Sequence, residues 1–138
     1  MAQYFGTDGI RGRAGENKLS EASLEKLADA IGAHFGVGAM AVIGRDTRAS
    51  GDWVKMALTR GLLRQGVNVT SVGILPTPAT ASMVPRLGAD FGLMITASHN
   101  PFHDNGVKLF GPDGRKISDA SQDAIEVLIA AVMRDGLA

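Results

Sequence analysis

The stretch Phe91-Gly92-Leu93-Met94-Ile95-Thr96-Ala97-Ser98-His99-Asn100-Pro101 decides how the chain is read. Leu93, Met94 and Ile95 form an apolar run of the kind that fills a buried strand, and Pro101 forbids that strand from continuing as a central one. The polar groups that follow are therefore offered at a strand's C-terminal end, where open α/β sheets bind their ligands. Ser98 brings a hydroxyl, His99 a titratable imidazole and Asn100 an amide. Taken alone, the stretch reads equally well as a turn rich in hydrogen bonds.

Upstream, the same pattern repeats. Met40 to Gly44 is a short apolar strand that ends in Arg45-Asp46-Thr47-Arg48, again polar groups at a C-terminal end. Ser50 is placed to cap a helix over 51–65, with Val54, Ala57, Leu58 and Leu62 on its core side, and Gly66 closes it. Val67 to Leu75 supplies the next strand. Thr77-Pro78 reads as a cap followed by proline at the first helical position, opening a helix that packs through Met83, Val84 and Leu87 and stops at Gly88. Before these elements, Ser20 caps a helix to about Phe35, with Leu24, Leu27, Ala28, Ile31 and Phe35 on one face and His34 at its solvated end. The glycine-rich opening, Tyr4 to Arg13, reads as an ordered loop offering Thr7, Asp8 and Arg11.

Downstream, Gly106 to Phe110 is a further strand. It follows the third after about ten residues with no helix, a spacing that favours an antiparallel neighbour. Gly111-Pro112-Asp113-Gly114 carries turn chemistry, and a last helix starts near Ser118 or Ser121 with Ile125, Leu128, Ile129 and Val132 as its stripe. The expected fold class is α/β: three layers, α/β/α, around a small mixed four-stranded sheet. The strand order is second, first, third, fourth, with the last antiparallel and the switch point between the first and third.

Composition narrows the field. The 138 residues have no net formal charge, 45% hydrophobic and 20% charged residues, so neither a disordered chain nor a nucleic-acid or anionic-membrane binder is indicated. Cysteine is absent, which removes disulfides, thiolate metal sites and a cysteine nucleophile. No run approaches the roughly 18 apolar residues of a membrane span, and Met1 to Arg13 lacks a signal-peptide core, so a cytoplasmic location is expected.

With the first and third strands adjacent, Arg45, Arg48, Lys108 and Ser98 share one crevice. Such a crevice suits a phosphate, whose oxygens match the arginine fork. A serine hydrolase fits poorly, because His99 is adjacent to Ser98 and no oriented histidine–carboxylate pair is evident. A metal site made by this chain alone also lacks ligand spacing.

Three motifs carry a resemblance. Phe5-Gly6-Thr7-Asp8-Gly9-Ile10-Arg11-Gly12, Gly44-Arg45-Asp46-Thr47-Arg48, and Thr96-Ala97-Ser98-His99-Asn100-Pro101 followed by Asp104-Asn105-Gly106-Val107-Lys108 together resemble the first domain of the α-D-phosphohexomutases. The opening loop and the stretch from Asp104 to Phe110 are most similar to the branch acting on glucosamine phosphates. The resemblance implies that Ser98 carries a phosphoryl group, gives it to one end of a hexose monophosphate, and takes the other phosphate back from the bisphosphate intermediate. Glucosamine 6-phosphate and glucosamine 1-phosphate would interconvert in this way, primed by glucose- or glucosamine-1,6-bisphosphate. It implies Lys108 and Arg11 as cations facing the transferring group, His99 as a proton-transfer or hydrogen-bonding group, and Thr7 as a pocket residue. Arg45, Arg48 and Asn100 are expected at substrate or phosphate, although Asn100 also reads as a brace for the turn.

The resemblance further implies Mg²⁺ bound by the phosphate on Ser98 and by aspartates of a second-domain Asp-Gly-Asp-x-Asp-Arg loop. No such loop occurs here. Asp113-Gly114-Arg115 only echoes it, as Arg48-Ala49-Ser50-Gly51-Asp52 echoes a fourth-domain phosphate loop. The expectation is one domain, residues 1–138, without the metal, sugar-reading and distal-phosphate domains, inactive by itself and able to self-associate through the surface those domains would cover. A phosphomannomutase or phosphoglucomutase domain, and a sugar-phosphate-binding module without chemistry, remain open alternatives.

Overall fold

A computed structural model describes residues 4–6 and 9–135. The chain runs β1 (Ile10–Arg13), a short 3-10 turn (Asn17–Leu19), α1 (Glu21–Phe35), β2 (Met40–Arg45), α2 (Gly51–Arg64), β3 (Asn68–Ile74), α3 (Thr77–Arg86), β4 (Phe91–Ile95), β5 (Asp104–Phe110) and α4 (Asp119–Asp135). The helices begin and end where local chemistry dictates. Ser20 Oγ accepts from the Ser23 amide at 3.1 Å to open α1, and Gly36, at φ 92°, ends it. Ser118 Oγ accepts the Ser121 amide at 3.1 Å ahead of α4.

The sheet has the order β1-β5-β4-β2-β3. Strands β3, β2 and β4 are parallel, whereas β5 is antiparallel to both β4 and β1. Apolar side chains alternate across it with period two. Ala41, Ile43, Leu93, Ile95, Val107 and Leu109 pack into one core with the stripes of α1, α2 and α4, among them Leu27, Ile31, Leu58, Leu62, Ile125 and Ile129. The opposite face is covered more sparsely. Val42 meets Val84 of α3 and Ala89, with Met40, Val72 and Met83 around them. Three layers result, and the expected order of the four strands holds.

The fifth strand corrects the reading of the opening segment as loop throughout. Ile10 to Arg13 pairs with Val107 to Asp104, because Ile10 is apolar enough to be buried while Arg11 and Arg13 stay exposed on the other side. Glycine at 106 makes that pairing possible. A Cβ there would run into the carbonyl oxygens of Ile10 and Thr96.

Smaller corrections concern caps. Ser50 does not cap α2 with its side chain, because its hydroxyl instead accepts from Asn105 Nδ2 at 2.8 Å. Pro76, not Thr77, is the residue preceding α3, so Thr77 and Pro78 occupy its first two positions. Leu87, expected in the core, is exposed beyond the end of α3.

Candidate active site

Parallel pairing of β2 with β4 brings their C-terminal ends side by side, Arg45 opposite Ile95. The Asp46 amide continues the ladder by donating to Ile95 O at 3.1 Å. Beyond it a side-chain relay shapes the serine turn. Thr96 Oγ1 donates to Asp46 Oδ2 at 2.7 Å and accepts the Ser98 amide at 3.0 Å. The Asn100 amide closes the turn onto Ala97 O at 3.0 Å. Within it Ser98 is held at φ 54°, in the left-handed region, with its side chain exposed.

Arg48 holds the rest of the loop. Its Nε donates to Asp46 Oδ2 at 3.2 Å, Nη1 to Pro101 O at 2.6 Å and Asp104 O at 3.1 Å, and Nη2 to Ser98 O at 2.9 Å and Asn100 O at 3.0 Å. A guanidinium has five N–H donors, and these contacts use all of them. In this conformation Arg48 has none left for a phosphate, contrary to the expectation from its residue type. It is a clamp on the main chain of the serine loop. Arg45 is also turned inward: Nη2 pairs with Asp52 Oδ1 at 3.1 Å and Nη1 donates to Asp46 O at 3.1 Å, tying the start of α2 to the end of β2. The crevice is therefore less cationic toward a ligand than a count of arginines suggests.

The cations that remain come from the other side. Lys108 of β5 donates from Nζ to Ser98 Oγ at 3.1 Å. Arg11 of β1 lies across from Gly106, two positions along β5 from Lys108, so both side chains leave the sheet on the same face. Arg11 is exposed and makes no ion pair among the described residues. His99 is exposed at the position after Ser98. Asn100 donates from Nδ2 to Asp104 Oδ2 at 3.1 Å, which fits the brace rather than a ligand contact. Thr7 lies outside the described residues. The loops enclose a groove of about 540 Å³ lined by Thr47, Ala49, Ser98, Asn100 and Phe102, with Asp46 and Arg48 at its wall.

An exposed hydroxyl held beside an ammonium group is suited to carrying an anionic substituent, because Lys108 offsets charge developing on Ser98 Oγ or on a group attached to it. Among the described residues no three His, Asp or Glu side chains converge as a metal cage. Asp46 and Asp104, which flank the serine loop, are engaged by Thr96, Arg48 and Asn100.

Known proteins share this arrangement's sequence and fold. The family described as phosphoglucomutase/phosphomannomutase, alpha/beta/alpha domain I, matches residues 2–135. The chain belongs to this family. This phosphohexomutase domain is 51% identical over 132 residues to Phosphoglucosamine mutase of Rhodospirillum centenum, covering 94% of the chain and 28% of that protein. A solved structure from Thermus thermophilus matches with a TM-score of 0.82 at 37% identity, over 92% of this chain and 30% of that one. A phosphoglucomutase/phosphomannomutase family protein from Burkholderia thailandensis matches with a TM-score of 0.74 at 29% identity, over 92% and 29%. The chain thus spans less than a third of the length of the curated relatives it matches.

Sequence reasoning about the phosphohexomutase site missed Asp46 and Thr96 as working residues. Both lie inside the quoted motifs, but their role depends on a contact between β2 and β4 that is fifty positions apart in sequence. Asp104 was legible as motif but not as the anchor of Asn100.

Proposed function

We propose that this chain is the phosphoserine domain of a phosphoglucosamine mutase that interconverts glucosamine 6-phosphate and glucosamine 1-phosphate. The observation that carries the reading is the 3.1 Å contact of Lys108 Nζ with Ser98 Oγ at the switch point of the sheet. The names of the relatives at about half identity support the glucosamine branch.

Phosphorylated Ser98 would give its phosphoryl group to a hydroxyl of the sugar phosphate. The bond from phosphorus to Ser98 Oγ breaks, a bond to the sugar oxygen forms, and the hydroxyl proton leaves to a base. His99 is our candidate for that proton. The bisphosphate then reorients and returns its other phosphoryl group to Ser98, with Lys108 and Arg11 countering the charge of the transferring group. A 1,6-bisphosphate sugar would prime the unphosphorylated enzyme. Arg45, Arg48 and Asn100 shape the site from behind, and the family resemblance assigns Thr7 to its lining. The phosphate on Ser98 would be one ligand of Mg²⁺, which neutralises charge on that group when bound; its remaining ligands would lie outside the described residues. The reading carries with it a cytoplasmic location; no helix among those residues is long and apolar enough to cross a membrane.

The test is mass spectrometry of the intact enzyme after incubation with glucosamine-1,6-bisphosphate. Phosphate on Ser98, lost in Ser98→Ala together with turnover, is the expected result. An unlabelled Ser98 would instead mark a sugar-phosphate-binding module. Labelling by glucose- or mannose-1,6-bisphosphate with turnover only of those sugars would move the enzyme to the phosphoglucomutase or phosphomannomutase branch.

A further inference from the structure

Glu126 is a charged residue inside α4, far in sequence from every motif, and only 9% exposed. Burying a carboxylate is costly unless it is well satisfied. This one accepts three successive main-chain amides of the opening segment: Tyr4 N at 2.7 Å on Oε1, then Phe5 N at 3.0 Å and Gly6 N at 3.2 Å on Oε2. Gln122, also buried, adds Nε2 to Oε2 at 3.1 Å. Such convergence is the arrangement by which main-chain amides grip an anion, with the anion here supplied by the protein itself. Phe5 is buried beside it, and Gly6 takes φ 73° as the chain turns away.

The segment so gripped leads within five residues to Arg11. On its far side Gly9, at φ 81°, lies so close to the Val107 carbonyl that a Cβ would not fit, and β1 then zips onto β5. Two anchors therefore bracket positions 7 and 8. One is the main chain of β5, which also carries Lys108. The other is Glu126.

We propose that Glu126 is a positioning residue for phosphoryl transfer: its carboxylate fixes the opening segment, and through it Arg11, relative to Ser98 and Lys108. The inference rests on the mutase reading above. Glutamine is nearly isosteric with glutamate, but in either orientation its NH₂ group faces at least one of these amide N–H groups, the Tyr4 amide alone if its oxygen takes the Oε2 side. Glu126→Gln therefore replaces at least one attraction with a clash of donors and removes the charge. Glu126→Asp keeps the charge on a shorter arm.

Three measurements on the intact enzyme test it. In Glu126→Gln, amide hydrogen exchange should accelerate in residues 4–13 while α1 and β2 stay protected. The rate of Ser98 phosphorylation by glucosamine-1,6-bisphosphate should fall by about ten- to a hundredfold, as expected for a small displacement of a catalytic group, with a change in KM of less than about threefold. Combining Glu126→Gln with Arg11→Ala should then be little worse than Arg11→Ala alone, since both remove one function. Where the glutamine variant does not fold, Glu126→Asp is read the same way. Unchanged phosphorylation in a variant whose opening segment is loosened, or fully additive effects with Arg11→Ala, would overturn the proposal and leave the mutase reading intact. Failure of the unmutated enzyme to accept phosphate on Ser98 would overturn the mutase reading and this proposal with it.

Discussion

Ser98 occupies a backbone conformation that costs a non-glycine residue on the order of 1–2 kcal/mol, and its neighbours show what outweighs that cost. Arg48 spans the loop from Ser98 O to Asp104 O, and hydrogen bonds to a charged group contribute roughly 1.5–3 kcal/mol each, so a few of its contacts exceed the strain. The role is separable from ligand binding. Arg48→Lys retains the charge but offers three donors on one nitrogen, which cannot cover five acceptors. In the intact enzyme kcat should fall by about ten- to a hundredfold with KM within about threefold of normal. A KM that rises while kcat is kept would make Arg48 a phosphate ligand after all. Lys108→Met is expected to act differently, slowing Ser98 phosphorylation by about a hundred- to a thousandfold, the usual cost of losing one charge-stabilising donor; rapid-quench labelling reads it.

At the scale of elements, α1 and α2 are joined by an ion-pair ladder: Arg60 with Glu21 and Glu25, and Arg64 with Glu25 and Asp29. The Arg64 hydrogen bond, helped by Arg60, holds the Glu25 carboxyl below its ordinary value of 4.5 against the opposing effect of burial. A lowered carboxyl stabilises the fold above its unfolded value and loses that contribution as pH falls through the folded one. Thermal midpoints of this chain should therefore drop below about pH 4.5, and Glu25→Gln should flatten that drop while lowering stability at neutral pH. Between strands, Gly106→Ala should destabilise by about 2–4 kcal/mol in chemical denaturation, because a methyl group there meets two main-chain oxygens that cannot retreat.

For the whole molecule, topology was the most legible property. Alternating apolar runs and capped helices specify β2 to β5 and their order, since the helical crossovers make β2, β3 and β4 parallel and the short return places β5 antiparallel beside β4. β1 was hidden because four residues with two glycine-flanked arginines have little strand character until β5 offers an edge. The site divides in the same way. Ser98 and Lys108 could be read from motif, and the structure brings them together. Arg45 and Arg48 were expected at a phosphate and instead bond the protein's own groups, because residue type says nothing of whether a guanidinium faces a ligand or its own main chain. Glu126 carried no signal at all, as its partners are amides present at nearly every residue. By itself this chain, given Mg²⁺ and a sugar bisphosphate, is expected to show no mutase turnover in a coupled assay. Turnover that Ser98→Ala abolishes would show that one domain suffices.

The grip of Arg48 has a consequence for how such a loop can change over time. Four of its five bonds end on carbonyl oxygens, which every amino acid possesses. This part of the loop's shape does not depend on the outward side chains, and substitutions at His99 or Phe102 can retune reactivity or selectivity without dismantling the scaffold. Main-chain shape and side-chain chemistry are thereby divided, the first held by the interior arginine together with the Thr96–Asp46 and Asn100–Asp104 contacts, the second supplied by the residues that face outward.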